Sequence, residues 1–323
     1  MFHQVKNMPK YVLCRPQNGF NDMLNQIELC CRYAQRYDRQ VIVDTGYRHT
    51  MYFKETFSKY FSSRQKILIL DNPLSDEELD RFDVFPKFLA GRASSYETDW
   101  RRLIEFRFAL RPLVKAGRFV DKTSGRPIWF SLERNYRQRL LVHSQGGGGL
   151  MSFDCLGRLQ ARTWLVDRLE ERLSQMPRPY AAVHIRNTDL TTDYAPLLTE
   201  LQRRKLPALF LATDNSSVVE EFRASLPATK VFSFTLLPGT SGTPIHKAVA
   251  LKDAPQLNTD TILDLLTLAF ASPLLLAKTR NAESVSKLSG FSMLAAELNQ
   301  NEDALMNLLG GRKSLRGQKL SVS

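Results

Sequence analysis

The sequence predicts an α/β protein built from two Rossmann-like domains, whose parallel, doubly wound sheets face a cleft. Three observations lead to this prediction. The chain has 323 residues and is 43% hydrophobic, which is enough for two domains that each bury a core. It opens with a strand, a helix and a second strand. In its second half, short apolar strands alternate with helical patterns, which is typical of a parallel sheet with crossover helices.

The first domain is predicted over residues 1–150. Residues 11–14 form an apolar strand, and a turn containing proline, asparagine and glycine follows. Over about residues 22–37, apolar side chains recur at helical spacing and give the helix one apolar face. Residues 41–44 and 66–70 are the second and third predicted strands. The loop after the first strand therefore lies where α/β sheets bind ligands.

Two segments interrupt this regular pattern. Residues 71–141 are rich in arginine and aromatic side chains and give no clear topology, so they fit either an insertion that recognises an acceptor or a helical cap. Four consecutive glycines at 146–149 break any regular element, and we place the domain boundary near them. The second domain is predicted over 151–311, and the basic residues 312–323 are predicted to be a flexible tail.

Helical and strand patterns alternate cleanly within the second domain. The predicted helices span residues 156–173, 215–225, 259–270 and 289–298, and the predicted strands span residues 180–186, 208–212, 231–234 and 274–277. This alternation predicts one parallel sheet covered by helices.

The chain is basic, with 45 Lys and Arg against 33 Asp and Glu and a formal charge of +12. Such a charge attracts phosphate-rich ligands, anionic membrane surfaces or nucleic acid, and it does not choose among them. Much of the excess lies in the Arg-rich middle and near the end of the chain. These residues form either solvated faces or a surface for an anionic acceptor or lipid headgroups.

The cysteines and the hydropathy indicate a compartment. The four cysteines lack the spacing and the companion histidines of zinc sites, so we expect buried thiols in a reducing environment. No run of about 18 apolar residues occurs. We therefore expect a cytoplasmic protein that can contact an anionic membrane peripherally.

Polar residues follow two of the predicted strands in the second domain. Arg186 comes directly after the apolar run 181–185, and its guanidinium offers planar donors that suit a diphosphate. Asp214 and Asn215 follow the next strand, where Asn215 is also a good N-cap and a carboxylate can accept hydrogen bonds from a purine or a ribose. Each feature alone also fits an ordinary charged loop or a capped helix.

A third polar cluster introduces the last predicted helix. Ser289, Gly290 and Ser292 offer hydroxyls and backbone N–H groups at a helix start, which suits a phosphate and equally fits an ordinary cap. Because the carboxyl ends of parallel strands meet at one edge of a sheet, we expect the three clusters to lie together and to bind a nucleotide.

Four motifs resemble those of the fucosyltransferase superfamily, which includes α1,6-, α1,2- and protein O-fucosyltransferases. Residues 184–189 (HIRNTD) resemble its HxRRTD or HxRxGD motif, and residues 212–215 (ATDN) are similar to its ATDD step. Asp264, followed by residues 289–292 (SGFS), is similar to its last conserved block. Residues 18–26 (NGFNDMLNQ) resemble its glycine-rich first loop.

The resemblance implies a GT-B-like fold, in which the second domain holds a GDP-linked sugar and the first domain faces the acceptor. It implies that Arg186 binds the β-phosphate with support from His184. It also implies that Asp214 or Asn215 reads the guanine. The other donor-binding residues that it implies are Gly19, Asn21 and Asp22 in the first loop, then Asp264, and finally Ser289, Gly290, Phe291 and Ser292 around the phosphates.

The sequence departs from the family pattern at two positions. The second arginine of the HxRRTD form is Asn187 here, so a diphosphate would rely on one guanidinium and the helix start. Asn21 stands where the first loop usually has a glycine. Both departures are compatible with a different donor sugar or with reduced activity.

The resemblance also implies a mechanism, because the family is mostly inverting. An inverting transfer needs a base for the acceptor hydroxyl. Asp193 is the first candidate, Asp189 the second and His143 the third, although Asp193 equally fits a turn residue. The sequence contains no DxD triplet, so we expect a metal-independent enzyme with no cofactor besides its nucleotide-sugar donor. The expected acceptor is a glycan or a lipid-linked oligosaccharide, in polysaccharide assembly.

Other classes of protein compete with this interpretation. A nucleic-acid-binding protein fits the charge, but no RNP-type aromatic pattern or helix-turn-helix occurs, so we expect no nucleic-acid partner. A non-catalytic relative that binds a sugar nucleotide fits the presence of Asn187. A dinucleotide oxidoreductase and a P-loop kinase do not fit, because GxGxxG and GxxxxGK[ST] are absent.

Overall fold

The computed structural model describes residues 9–46, 50, 53–105, 114–188, 191–237, 253–280 and 288–315. The chain divides into two compact units, Met1–Leu159 and Gln160–Ser323. Each unit is built on a parallel sheet accompanied by helices. The division lies beyond the glycine run 146–149, which belongs to the first unit.

The first unit contains a five-stranded parallel sheet and a separate antiparallel hairpin. Its strands are β1 (Tyr11–Cys14), β2 (Gln40–Val43), β3 (Phe61–Ser63), β4 (Leu68–Ile69), β5 (Val84–Phe85), β6 (Thr98–Glu105), β7 (Val114–Asp121) and β8 (Leu140–His143). Its helices are α1 (Phe20–Arg36), α2 (Asp76–Arg81) and α3 (Ser152–Gly157). The sheet has the order β4-β2-β1-β8-β5, and β6 pairs with β7 in the hairpin.

The strand, helix and strand that open the chain are confirmed. Helix α1 begins at Phe20, because Gly19 in an extended conformation (φ −71°, ψ 167°) serves as its N-cap. The apolar side chains that recur at helical spacing, Met23, Leu24, Ile27, Cys31 and Ala34, are all buried. The third predicted strand is shorter in the structure, where β4 covers Leu68–Ile69.

The Arg-rich middle of the chain completes the first sheet. It contributes β5 and β8 on one side of β1, and it inserts the β6–β7 hairpin between them. Strand β5 covers only Val84–Phe85, which is too short for a period of two to be visible in the sequence. Part of the core of this unit is formed by Leu13, Ile42, Leu140 and Val142, which are fully buried.

The second unit follows the same plan with a four-stranded parallel sheet. Strand β9 (Leu159–Ala161) spans the division, and the further strands are β10 (Ala181–Ile185), β11 (Thr192–Asp193), β12 (Ala208–Thr213), β13 (Lys230–Phe232), β14 (Leu274–Leu276) and β15 (Lys278–Thr279). The helices are α4 (Thr163–Ser174), α5 (Ala195–Arg204), α6 (Ser216–Ser225), α7 (Ala254–Ala269), α8 (Gly290–Gln300) and α9 (Glu302–Leu308). The sheet order is β13-β12-β10-β14. No helix within the described ranges combines the length and apolar character that a membrane span needs.

The predicted helix over residues 156–173 is confirmed over 163–173, which lies in α4, and is wrong over 156–162, where α3 ends and β9 follows. Residues 159–161 are buried, exposed and buried in turn, which is the period of a strand. Helix α7 also begins earlier than residue 259, at Ala254, where a proline in the first turn suits a helix start.

The basic end of the chain is held in place as far as residue 315. Arg312 donates to Glu170 Oε2 at 3.0 Å and also to Asp167. Leu315 is buried. The part of the predicted tail from residue 316 onward lies outside the described residues.

The four cysteines are buried free thiols. Burial raises the pKa of Cys31 to about 12, so this side chain is a neutral thiol at physiological pH. Cys14, Cys30 and Cys155 share its buried surroundings.

A buried ion pair between Glu28 and Arg158 contributes to the packing of the first unit. Arg158 donates to both Glu28 oxygens, at 2.6 and 2.9 Å, whereas Arg32 reaches the same carboxylate at 3.0 Å from a side chain that is 52% exposed. We expect Arg158→Ala to lower the free energy of unfolding by about 3 kcal/mol, because it removes the main partner of a buried charge. Arg32→Ala is the matched control and should cost less than about 1 kcal/mol. Urea unfolding measures both, and equal losses would contradict the prediction.

Candidate functional site

The carboxyl edge of the second sheet carries a cluster of one histidine and two serines. His184 Nδ1 lies 2.9 Å from Ser292 Oγ and 3.3 Å from Ser289 Oγ. Ser289 is the N-cap of α8, and its hydroxyl accepts from the Ser292 N–H at 3.1 Å. The Phe291 ring packs on the histidine with a centroid distance of 4.9 Å. The end of β10 and the start of α8, beginning at Gly290, therefore converge on one place, as the sequence predicts.

The histidine of this cluster is neutral. Burial, and then the positive charge of Arg186, lower the pKa of His184 to about 3. At physiological pH one ring nitrogen therefore donates and the other accepts. Arg186 and the helix start therefore supply positive charge at this edge.

The side chain of Thr192 holds the backbone of Arg186. The Arg186 N–H donates to Thr192 Oγ1 at 3.2 Å, and the same hydroxyl donates to the Arg186 carbonyl at 2.6 Å. One residue further out, Asn187 and Thr191 form an antiparallel bridge. The chain therefore turns back on itself directly after β10 and leaves Arg186, which is half-buried, at the carboxyl edge of the sheet.

Asp214 and Asn215 hold the same turn from the neighbouring strand. Asp214 accepts from the Asn187 N–H at 2.7 Å and from the Thr188 hydroxyl at 2.5 Å. Asn215 donates to the Asn187 carbonyl at 3.0 Å, while its oxygen caps α6 by accepting from the Ser217 N–H at 3.0 Å. Both side chains of this step therefore position the residues beside Arg186.

Asp264 lies in a buried network between α4 and α7. It accepts from Arg172 at 2.6 Å and from Thr235 at 2.7 Å, and Arg172 also donates to Asp260 at 3.1 Å. Burial raises the pKa of Asp264 to about 6, although the Arg172 charge opposes this shift. Asp264 is 7% exposed, and its contacts tie the two helices to the segment after β13.

The first candidate base is not part of the His184 cluster. Asp193 lies on β11, which pairs with β15, and its carboxylate is 3.3 Å from Arg280 with 46% of the side chain exposed. Its neighbour Thr192 is the residue that fixes Arg186. Asp189, the second candidate, lies outside the described residues.

The third candidate base is buried in the first unit. His143 ends β8 with 4% exposure, and its Nε2 lies 2.7 Å from Gln26 Oε1. Burial, and then the charge of Arg118, lower its pKa to about 4. A histidine with this pKa is a weak base at neutral pH.

The first-loop candidates lie together at the start of α1. A Cβ at Gly19 would meet no atom within 4 Å, so the backbone there is open to a ligand. Asn21 is 7% exposed, and its Oδ1 is buried without a partner among the described residues. Asp22 lies in the first turn of α1, where a carboxylate complements the helix dipole. Donor binding by these three residues stays a prediction.

The glycine run 146–149 covers this helix start. Gln26 donates to the Gly147 carbonyl at 3.0 Å, and Gly147 has a φ of +121°, which favours glycine. A Cβ at Gly149 would lie 2.8 Å from Asn25 Oδ1, so a side chain there does not fit. The run is therefore a packed part of the first unit.

Two residues of the second unit were not among the sequence-based candidates. Thr192 gives no local signal, because its role depends on a turn that only the folded chain brings together. Arg172 does give a local signal in the sequence, because it shares the buried face of α4 with Leu165 and Leu169. A cation on an apolar helical stripe indicates a buried carboxylate partner.

Two units with parallel sheets, one carrying a polar cluster at its carboxyl edge, define a GT-B-like α/β protein. No family model matches the chain, and neither does any curated protein. The crystal structure of the fucosyltransferase NodZ from Bradyrhizobium is similar, with a TM-score of 0.54 at 16% identity, covering 90% of this chain and 93% of that chain. NodZ α-1,6-fucosyltransferase soaked with GDP-fucose gives a TM-score of 0.53 at 16% identity, with the same 90% and 93% coverage. The likeness confirms the fold that the resemblance implies.

The lowered pKa of His184 predicts a pH dependence of stability. An unfolded histidine takes up a proton near pH 6.5, whereas folded His184 resists protonation down to about pH 3. Between these values the unfolded state binds more protons, so stability falls as the pH falls. In His184→Gln we expect the loss of stability between about pH 7 and pH 5 to shrink by about 2 kcal/mol. Denaturant unfolding at both pH values measures this, and an unchanged loss in the variant would contradict it.

Proposed function

We propose that the chain is a glycosyltransferase that moves a sugar from a nucleotide donor, fucose from GDP-fucose, to a hydroxyl of a glycan or glycoconjugate. The observation that carries the proposal is the convergence of His184, Ser289 and Ser292 beside Arg186 at the carboxyl edge of a parallel sheet. Ligands of α/β sheets bind at such edges. The fold supports the proposal, because NodZ has the same fold and its structures include one co-crystallized with GDP.

The start of α8 suits a diphosphate. A helix of this length presents unpaired backbone N–H groups and the positive end of its dipole at the first turn. The Ser289 and Ser292 hydroxyls lie 2.9 Å apart at this end and can rotate toward a phosphate oxygen. Arg186 adds a permanent positive charge and a planar set of donors.

The proposed reaction is a single in-line displacement. The acceptor oxygen forms a bond to the anomeric carbon while the bond from that carbon to the β-phosphate oxygen breaks. GDP leaves with the bonding electron pair, the configuration inverts, and the acceptor proton passes to a base. Asp193 and Asp189 stay the proposed bases, and Asp193 would first have to release Arg280.

We propose that charge on the leaving diphosphate is offset without a metal. Arg186 and the N–H groups of α8 supply the positive charge that a bound cation supplies in other transferases. Asn187 has its backbone bound on both sides by Asp214 and Asn215, so it shapes the turn instead of adding a second cation. Asp214 and Asn215 therefore act as positioning residues for Arg186.

Replacing Arg186 tests the catalytic part of the proposal. We expect Arg186→Ala to lower the transfer rate at least about 100-fold, because one charged donor to a transition state contributes several kcal/mol. Arg203→Ala is the matched control, since this arginine on α5 is exposed and pairs only with Glu200 among the described residues. Transfer of radiolabelled fucose from GDP-fucose to candidate acceptor glycans measures both variants. Near-normal transfer by the Arg186 variant would remove this residue from the mechanism.

Nucleotide binding tests the donor part of the proposal. In a thermal-shift assay with GDP, UDP, CMP and ADP, all in the presence of EDTA, we expect GDP to give the largest stabilisation. Specific binding raises the unfolding temperature by mass action. A ligand concentration of about 100 times Kd stabilises the folded protein by about 2.7 kcal/mol. Ser292→Ala should weaken the GDP shift. A shift that requires added manganese, or that another nucleotide gives instead, would contradict the proposal.

A further inference from the structure

The β6–β7 hairpin of the first unit places two arginines directly opposite each other. Arg101 and Arg118 are partners in the antiparallel register. Like charges in this arrangement destabilise a strand pair. Asp99 offsets part of the repulsion through an ion pair of 3.1 Å with Arg101, in which both side chains are nearly half exposed. Such a surface pair is weak and yields easily to a stronger anionic partner.

An exposed indole lies beside one of these two cations. The guanidinium carbon of Arg118 is 5.5 Å from the centre of the Trp129 ring, and Trp129 is 44% exposed. We call Arg101, Arg118 and Trp129 the Arg–Trp patch. It combines a flat apolar surface with two sets of planar donors, which are the complements of a sugar ring and of an anionic group.

The Arg–Trp patch is anchored at the carboxyl edge of the first sheet. Gln145, just beyond β8, accepts from the Phe119 N–H at 3.0 Å and donates to the Phe119 carbonyl at 2.6 Å, which fixes the residue next to Arg118. The Ser144 N–H donates to the Ile128 carbonyl at 2.9 Å, which fixes the residue next to Trp129. The patch therefore borders the edge at which an α/β sheet presents its ligand.

We propose that the Arg–Trp patch binds the acceptor, and that this acceptor is a sugar chain bearing an anionic group, either a carboxylate or a phosphate. The inference rests on the proposed transferase function, which requires an acceptor. Trp129 stacks on the apolar face of one sugar ring, while Arg101 and Arg118 donate to the anionic group. Single-stranded nucleic acid is the poorer match, because its sites use a series of stacked aromatic rings along a groove. A membrane surface is also a poorer match, because lipid binding uses a broad apolar face or a cluster of several cations, whereas the patch is one indole with two guanidinium groups.

Calorimetric binding to the full-length protein tests this inference. The probes are maltohexaose, hexagalacturonate and maltohexaose 6-phosphate, which are neutral, carboxylated and phosphorylated. We expect at least one acidic probe to bind at least about 10-fold more tightly than the neutral probe. The variants Arg101→Gln/Arg118→Gln and Trp129→Ala should each lose about 10-fold in affinity for that probe. Arg102→Gln is the matched control, because this exposed arginine is adjacent in the same strand and on the opposite face of the hairpin.

Several outcomes would overturn the inference. Equal binding of neutral and acidic probes would do so, as would an equal loss in Arg102→Gln. Tighter, patch-dependent binding of a hexanucleotide RNA or of phosphatidylglycerol vesicles would assign the patch to those ligands. We expect the double arginine variant to keep its thermal stability, because it removes a like-charge pair. A lower affinity at unchanged thermal stability then reflects lost binding and not lost folding.

Binding of GDP to the same proteins separates this inference from the proposed function. Normal GDP binding without any preference for acidic glycans would contradict the anionic acceptor alone. Patch-dependent binding of an acidic glycan without GDP binding would support the patch as a glycan site and contradict the proposed donor.

Discussion

The proposed site depends on the turn that follows β10. Side chains from outside the turn bind its backbone: Thr192 binds Arg186 on both sides, and Asp214 and Asn215 bind Asn187 on both sides. A guanidinium attached to a fixed backbone has only its own side-chain freedom to lose on binding. Because the residues directly after β12 supply two of these contacts and β14 lies on the other side of β10, the position of Arg186 depends on the sheet.

Each unit contains a buried charge that is held by a partner of opposite sign. Glu28 pairs with Arg158 in the first unit, and Arg172 pairs with Asp260 and Asp264 in the second. Such pairs add little net stability, because desolvation offsets most of their attraction. Their value lies in geometry, since a shifted helix would leave a charge without its partner. Arg172 in this way aligns α4 with α7, and Asp264 extends the alignment to Thr235.

Much of the fold could be predicted where a single period runs through several residues. The strands β1, β10 and β12 and the helix α1 are of this kind, and the meeting of parallel strand ends at one edge led to the convergence of His184 with Ser292. Short elements could not be predicted in this way. The two-residue pairing of β11 with β15 exists only through long-range contacts, and it places Asp193 against Arg280. The strand β9 could not be recognised in the sequence, because its three residues lie between two helices.

The glycine run shows that a glycine-rich composition need not indicate a flexible segment. Four glycines in succession look like a hinge, yet Gly147 and Gly149 fit closely against Gln26 and Asn25 of α1, and Asn25 also accepts from the Met151 N–H at 2.8 Å. A truncated form that starts at residue 151 would therefore strip the first unit of α3, which packs on α1. The second compact unit begins at Gln160, so the glycine run and α3 both belong to the first half of the polypeptide.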